Sequence, residues 1–424
     1  MKKQAGISFK FIKISKIIIL CILLASFITG CQQSTIDQDD DSKSDTSTEP
    51  GRSDDYTVVG TGQSKCYDDT KEIDCSEPGE AFYGQNAQFP GVKASYQDND
   101  NGTITDKNTG LIWQKEADLD NKSTFAEAVS GAKDLDLAGH NDWRLPTIKE
   151  LYSLINFSGS GRLERPYIDT KFFNFRFGDE SLGERTIDGQ YWSSTEYVGT
   201  TMKGDATVFG VNFADGRIKG YPKEKGSGGS PFTAFVRYVR DNKDYGKNDF
   251  VDNGDDTITD KATGLMWQKG DDGKTRNWEE ALAFAENLQL GGHDDWRLPN
   301  AKELQSIVDY SKAPDASDES KKGPAIDTTF FDITEEESWF WTNTTLLEAP
   351  SDAPGSEAVY ITFGQAFGFA PNDKSNLINV HGAGSQRSDP KSGASEEFEG
   401  GRGPQGDEIR IQNYVRAVRG NSGK

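Results

Sequence analysis

The chain has 424 residues, of which 34% are hydrophobic and 11% aromatic, so it carries enough apolar surface for well-packed cores. Its net charge is −22, and it becomes more negative if residues 1–30, with five lysines and no acid, are removed. This charge disfavours nucleic acids and anionic lipid headgroups as partners. The 45 glycines favour a loop-rich β or α+β body over a helical bundle.

The N-terminus has the pattern of a bacterial lipoprotein signal peptide over residues 1–30. Five lysines precede an apolar run from Ile17 to Ile28, which is shorter than a typical membrane span. The run ends in Ile-Thr-Gly-Cys, which resembles a lipobox, so we expect cleavage before Cys31 and a lipid anchor on its sulfur. The alternative is an uncleaved membrane anchor with an incidental cysteine. The residue after the cysteine is Gln32, whereas an aspartate there would favour the inner membrane, so we predict attachment to the outer membrane. The protein could face the periplasm or the cell surface.

Two short segments separate the signal peptide from the main body. Residues 31–60 are rich in Ser, Thr, Asp and Lys, so we expect a disordered tether that holds the body away from the membrane. Residues 61–94 form a small arm, in which Cys66 and Cys75 bracket a loop of turn-forming residues. An oxidising compartment favours a disulfide between them, and two free thiols are the alternative.

Residues 95–241 and 245–420 repeat the same sequence blocks in the same order, which predicts two whole domains of one type. We call them the first and second repeats. The matching blocks are Thr103–Lys115 with Thr257–Lys269, Gly139–Pro146 with Gly292–Pro299, Ile168–Phe173 with Ile326–Phe331, and Phe235–Arg240 with Tyr414–Arg419.

Each repeat predicts two helices followed by antiparallel strands. Thr124 and Asn277 each precede a glutamate by three residues, which is the spacing of a helix capping box, and so do Thr147 and Asn300. Apolar residues recur at helical spacing after each cap. Short aromatic strands follow, so the predicted fold class is α+β.

The repeated Thr-Gly-Leu-(Ile/Met)-Trp-Gln-Lys and Gly-His-(Asn/Asp)-Asp-Trp-Arg-Leu-Pro blocks resemble the Lcl C-terminal domain family, named for collagen-like bacterial adhesins. The resemblance covers both repeats, and the arm with Phe82-Tyr-Gly-Gln is similar to a companion of such domains. It implies two tandem C-type-lectin-like domains, each with two helices packed on a looped antiparallel sheet. It also implies binding of sulfated polysaccharide, although this chain has no Gly-X-Y stalk and is strongly acidic.

The repeated tryptophan and arginine residues have two interpretations. They could stack on a ligand, but we favour a core role, in which the tryptophans pack inside and each arginine pairs with a buried carboxylate. Asp142 or Asp169 would be the partner in the first repeat, and Asp295 or Asp327 in the second. The residues concerned are Trp113, Trp143, Arg144, Trp192, Trp267, Trp296, Arg297 and Trp341.

Acidic turns are the candidate metal sites, because clustered carboxylates can hold calcium. They lack the EF-hand pattern, and Asp and Asn also form ordinary hairpin turns. We therefore predict no cofactor, with calcium binding as the alternative. The candidate ligands are Asp98, Asp100, Asp106, Asp252, Asp255, Asp256 and Asp260. His140 and His293 favour a structural role over metal binding.

Catalytic patterns are missing from the sequence: it has no zinc-binding histidine motif, no nucleophile elbow and no cysteine in either repeat. We therefore predict a non-catalytic, lipid-anchored envelope protein that binds a glycan or a protein in an adhesin-like way. A structural envelope protein and an enzyme on a C-type-lectin-like fold are the alternatives. Residues 371–409 are an insertion of the second repeat, either a ligand loop or, as its composition favours, a disordered excursion.

Overall fold

The computed structural model describes residues 56–225, 229–348, 353–370, 373–403 and 405–420. The signal peptide, Cys31 and most of the predicted tether lie outside these residues. Residues 56–60, expected at the end of the tether, are instead packed against the body: Tyr56 is buried, and its amide donates to the carbonyl of Ala262 at 2.7 Å. Among the described residues, no helix is long and apolar enough to cross a bilayer.

The described part of the first half contains nine strands and two α-helices. They are β1 (Cys66–Tyr67), β2 (Glu72–Ile73), β3 (Tyr96–Asp98), β4 (Thr103–Asp106), β5 (Ile112–Gln114), α1 (Phe125–Asp134), α2 (Ile148–Ser153), β6 (Gln190–Glu196), β7 (Thr207–Asn212), β8 (Arg217–Pro222) and β9 (Val239–Arg240).

The described part of the second half repeats the order of elements that begins at β3, with one added hairpin. Its elements are β10 (Phe250–Asp252), β11 (Thr257–Asp260), β12 (Leu265–Gln268), α3 (Trp278–Glu286), α4 (Ala301–Ser306), β13 (Trp339–Leu346), β14 (Glu357–Thr362), β15 (Phe367–Ala370), β16 (Asp373–Asn379), β17 (Gln386–Pro390) and β18 (Val418–Arg419).

All four helices begin where the sequence predicts. The side chains of Thr124, Thr147, Asn277 and Asn300 each accept a backbone N–H from the glutamate three residues on, and that glutamate returns a bond to the cap. The capping box thereby provides acceptors for two backbone N–H groups at the start of each helix, that of the cap residue and that of the glutamate. The helices are short, however, with six to ten residues each.

The sheets are antiparallel, and the largest one contains strands from both repeats. Its order is β13-β14-β17-β8-β7-β6, so β8 of the first repeat lies beside β17 of the second, with Ile218 opposite Gln386. Each repeat also has a four-stranded sheet, β3-β4-β5-β9 or β10-β11-β12-β18, in which its last strand returns to an early one. Two-stranded sheets β1-β2 and β15-β16 complete the set.

The expected α+β class, with two C-type-lectin-like domains that each pack two helices on their own sheet, is wrong. The described residues form a mostly β structure with four short helices and several separate sheets. A six-residue helix is about 9 Å long, whereas six strands spaced about 4.8 Å apart make a sheet roughly 24 Å wide. Helices of this length cannot cover such a sheet, and the paired edges of β8 and β17 merge the sheets of the two repeats.

The inserted segment 371–409 was expected to be disordered, but its described residues are folded. They contain strands β16 and β17, and Gln386 and Asp389 in β17 are fully buried. The polar composition is misleading because neighbours from both repeats bond to polar side chains of β17, as Asn413 does to Asp389. Arg217 of β8, for example, donates to the Ser388 hydroxyl at 3.1 Å.

Two lysines bind the repeats together in a reciprocal way. The Lys149 ammonium of α2 donates to the carbonyl of Ser306 at 2.6 Å, and the Lys302 ammonium of α4 donates to the carbonyl of Ser153 at 2.8 Å. The two lysines occupy equivalent positions in the repeats, as do the two serines. The main hydrophobic core is likewise continuous, since it includes both Leu151 of α2 and Leu304 of α4.

These lysines predict how stability depends on pH. Burial lowers the pKa of Lys302 from 10.5 to about 7 and that of Lys149 to about 8. Between those values and 10.5 the unfolded chain binds more protons than the folded chain, so stability rises with pH across this window. We expect the wild type to gain stability relative to Lys302→Met as the pH is raised from 6 to 9.5, measured by urea unfolding. Exposed Lys321→Met is the control, and parallel curves for wild type and Lys302→Met would contradict the assignment.

Candidate functional site

The repeated tryptophans all lie in the interior. Trp113, Trp192, Trp267 and Trp341 are fully buried, and Trp143 and Trp296 are nearly so. The indole N–H groups of Trp143 and Trp296 donate to the carbonyls of Leu137 and Leu290 in equivalent turns. Burial of this degree supports the interior role for these tryptophans.

The arginine beside each tryptophan pairs with a buried carboxylate, but not with the aspartates that the sequence suggested. The two Arg144 nitrogens contact both oxygens of Glu150 at 2.6 Å, and Arg297 contacts Glu303 in the same way at 2.7 Å. The expected partners Asp142 and Asp295 lie on the surface, where they pair with Arg240 and Arg419.

Each of these glutamates therefore has two structural functions. The Glu150 carboxylate accepts the backbone N–H of Thr147 at 2.7 Å while it holds Arg144, and Glu303 binds Asn300 and Arg297 equivalently. In each repeat one glutamate thus caps the start of the second helix and also holds the arginine of the segment before that helix. A bidentate guanidinium–carboxylate pair provides this geometry. The sequence carried the signal, since both glutamates occupy the predicted capping positions.

The acidic turns are held by hydrogen bonds within the protein. Asp98 pairs with Lys115 at 2.5 Å and accepts the amide of Asp100, while Asp252 pairs with Lys269 at 2.7 Å. Asp260 is buried and accepts backbone amides from two neighbouring segments. Within the described ranges, no three acidic, histidine or cysteine side chains are grouped as metal ligands. Calcium binding stays a prediction.

The arm contains the predicted disulfide. Cys66 and Cys75 are bonded to each other, and they join the ends of the hairpin formed by β1 and β2. The prediction of a disulfide is confirmed. His140 and His293 occupy tight turns in which their backbones bond to Leu137 and Leu290.

Sequence reasoning missed a cavity between the repeats, which we call the seam cavity. It has a volume of about 250 Å³ and lies where the inserted segment of the second repeat crosses the sheet of the first. These two segments of the chain approach so closely that a Cβ added at Gly220 would lie 2.6 Å from the carbonyl oxygen of His381. The lining residues that matter most are Arg185, Asp188, Gln190, Lys219, Tyr221, Phe232, His381 and Gln405.

Three residues that line the seam cavity each have a buried side-chain atom with no hydrogen-bond partner among the described residues. These atoms are Oε1 of Gln190, the hydroxyl of Tyr221 and Nδ1 of His381. Buried polar atoms are nearly always paired because burial without a partner costs about 1–3 kcal/mol. Three residues that line one cavity thus each carry a buried polar atom without a partner in the described part of the chain.

Two cationic side chains at the seam cavity, Lys219 and Arg185, have carboxylate neighbours. Lys219 donates to Asp215 at 2.5 Å, and Arg185 pairs with Asp188 at 2.7 Å. Burial lowers the pKa of Lys219 to about 8, and burial next to the Arg387 guanidinium holds the pKa of His381 well below its usual 6.5. His381 is therefore neutral at physiological pH, and its Nε2 contacts Asp407 at 2.9 Å.

The arginine–glutamate pairs give a direct test of the repeated motif. We expect Arg297→Met to lower the free energy of unfolding by about 3–5 kcal/mol, because Glu303 would be left buried and unpaired. Arg144→Met should cost less, since 25% of the Arg144 side chain is exposed compared with 5% for Arg297. Chemical denaturation measures both, and the double variant Arg297→Met/Glu303→Leu should recover only part of the loss, because it removes the unpaired charge but also the bond from the Asn300 amide to Glu303. Equal costs for the two single variants would contradict this account.

Comparison with known proteins gives one match. Residues 102–240 and 256–381 each match the Lcl C-terminal domain. No curated protein and no solved structure matches the chain significantly. The two matched ranges include the paired arginines, the helix caps and most of the strands of the shared sheet. The chain belongs to the Lcl C-terminal domain family.

Proposed function

We propose that this chain is a non-catalytic, lipid-anchored envelope protein that binds a glycan at the seam cavity. The observation that carries the proposal is the set of unpartnered polar atoms of Gln190, Tyr221 and His381 around one cavity. A sugar hydroxyl both donates and accepts hydrogen bonds, so it can satisfy an amide oxygen, a phenol and an imidazole nitrogen alike.

The size and lining of the cavity favour one sugar ring over a long chain. Its volume of about 250 Å³ is below the roughly 300–1,000 Å³ of pockets for drug-sized ligands. Tyr221 and Phe232 stack at 5.0 Å between ring centroids and present an aromatic wall, against which the apolar face of a sugar can pack.

The charge balance favours a neutral sugar over a sulfated one. Lys219 and Arg185 already have carboxylate partners in Asp215 and Asp188, and the whole chain is strongly acidic. A sulfate would therefore meet no uncompensated cation at these two positions. We infer that the site takes an uncharged end of a glycan and that sulfated polysaccharide is not its ligand.

A glycan array with matched variants tests the site. We expect the wild type to retain glycans that end in a neutral sugar, and Tyr221→Phe and Gln190→Leu to weaken their binding about tenfold through loss of one hydrogen bond. Neither variant should lower stability, because each removes an unpartnered buried atom. Tyr152→Phe is the control, since its hydroxyl is also buried without a partner but lies away from the cavity.

Two results would contradict the proposal. One is an array without any retained glycan, and the other is equal retention by wild type and Tyr221→Phe. A loss of stability in Gln190→Leu would assign that side chain a structural role instead.

The lipid anchor is a separate proposal that rests on the sequence around Cys31. We expect Cys31→Ser to abolish incorporation of labelled palmitate and to move the protein from the membrane fraction to the soluble fraction, because the cysteine sulfur is the acceptor of the diacylglycerol. Cys21→Ser, within the predicted signal peptide, is the control and should still be lipidated. Palmitate incorporation by Cys31→Ser would contradict the anchor.

A further inference from the structure

The arm lies in a groove of the second repeat. The groove is bounded by α3, by the Trp-Arg-Leu-Pro segment and by β13, and we call it the second groove. The Gly79 amide donates to Glu286 of α3 at 2.7 Å, and the Phe82 ring lies 6.3 Å from that of Trp278. Phe89 lies under the guanidinium of Arg297 at 5.8 Å.

Backbone hydrogen bonds fix the middle of the arm to strand β13. The Asn86 amide donates to the carbonyl of Asn343 at 3.1 Å, and the Asn343 side chain donates to the carbonyl of Gly84 at 3.3 Å. Gly84 faces Leu282, to which an added Cβ would come within 3.6 Å. The second groove is thus a binding site for a short aromatic and glycine-containing segment, and it is occupied within the chain.

The first repeat has the same groove, and within the described part of the chain no segment lies in it as the arm lies in the second groove. This first groove has a volume of about 520 Å³, and its lining includes Val129, Trp143, Arg144, Leu145, Thr147 and Ser194. Each of these is the sequence equivalent of a residue in the second groove, namely Leu282, Trp296, Arg297, Leu298, Asn300 and Asn343.

Burial shows the difference between the two grooves. Val129 is 40% exposed, whereas its equivalent Leu282 is 2% exposed. Thr147 and Ser194 are exposed, whereas Asn300 and Asn343 are buried. Val129 is also one of the few large hydrophobic side chains exposed in the described part of the chain. An apolar groove with a pre-formed rim is the usual form of a peptide-binding surface.

We propose that the first groove binds a segment of a partner protein with the chemistry of the arm: two aromatic side chains on either side of a glycine-containing turn, with acidic residues at one end. Charge supports the acidic end. The arm carries Glu77 and Glu80 next to Gly79, and Gly79 contacts Glu286 in the second groove. The first groove has Lys133 at the position of Glu286, and Lys243 also lines it.

The arm of a second copy is the less favourable occupant. In every chain the arm already has a groove, in which Gln85 and Asn86 are buried and Asn86 is bonded to Asn343 and Thr344 of β13. A second copy would have to break these contacts before its arm could reach another chain. A partner with a free segment of this kind has no such cost, and the first groove is a different site from the seam cavity.

A synthetic peptide with the sequence of residues 76–92 is the probe. It is titrated, with a fluorescent label, into the full chain in detergent micelles, and binding is followed by anisotropy. We expect saturable binding that Val129→Glu weakens at least tenfold, because it places a charge in the apolar floor, and that Lys133→Glu also weakens. Leu163→Glu is the control, because Leu163 is more exposed than Val129 but lies outside the first groove. A peptide with Phe82→Ala and Phe89→Ala should not bind.

Three outcomes would overturn the proposal. The first is no binding of the peptide. The second is binding that Val129→Glu and Lys133→Glu leave unchanged, since the peptide would then have displaced the arm from the second groove. The third is self-association of the chain in sedimentation that Val129→Glu abolishes, since a second copy would then be the occupant. None of these depends on glycan binding, so the two proposals fail separately.

Discussion

Strand β8 of the first repeat and strand β17 of the second lie side by side in the middle of the six-stranded sheet, and most of the architecture depends on this contact. Without it each repeat would present an open sheet edge, which invites pairing with other chains. Around the contact, Asp215, Arg217 and Lys219 of the first repeat meet Glu357 and Arg387 of the second. Removal of one member would leave a buried charge, so the network favours one register.

The same junction creates the seam cavity. Segments of the chain before and after β17 bring His381 and Gln405 to the same cavity as Lys219 and Tyr221 of β8. A cavity with walls from both repeats cannot exist in an isolated repeat. Duplication thus supplied a site that a single domain of this type does not contain, and the longer second repeat supplied its cover.

Sequence alone predicted the local elements well. Both capping boxes of each repeat, the hairpin between β10 and β11 and the disulfide of the arm follow from short-range rules, which depend on a few neighbouring residues. It failed where distant segments decide the outcome. Residues 386–389 look like an exposed loop, yet they form a strand that pairs with Ile218 of the first repeat, and Arg217 of that repeat donates to the Ser388 hydroxyl. The sequence does not identify Glu303 as the partner of Arg297, because its position already explains it as a helix cap and one carboxylate serves both contacts.

Comparison of the two repeats shows how one scaffold acquires different surfaces. The buried Arg–Glu pair and the position of the helix caps are the same in both repeats, while other residues of the groove differ: Glu286 corresponds to Lys133 at the rim, and Leu282 to Val129 in the apolar floor. In the second repeat the rim receives the arm, which covers apolar surface and leaves nothing to bind there. In the first repeat the same scaffold stays open with a basic rim on an otherwise acidic chain. The groove is formed by helices and strands that the core holds in place. Most of the conformational entropy lost on binding would therefore come from the ligand segment and little from the protein.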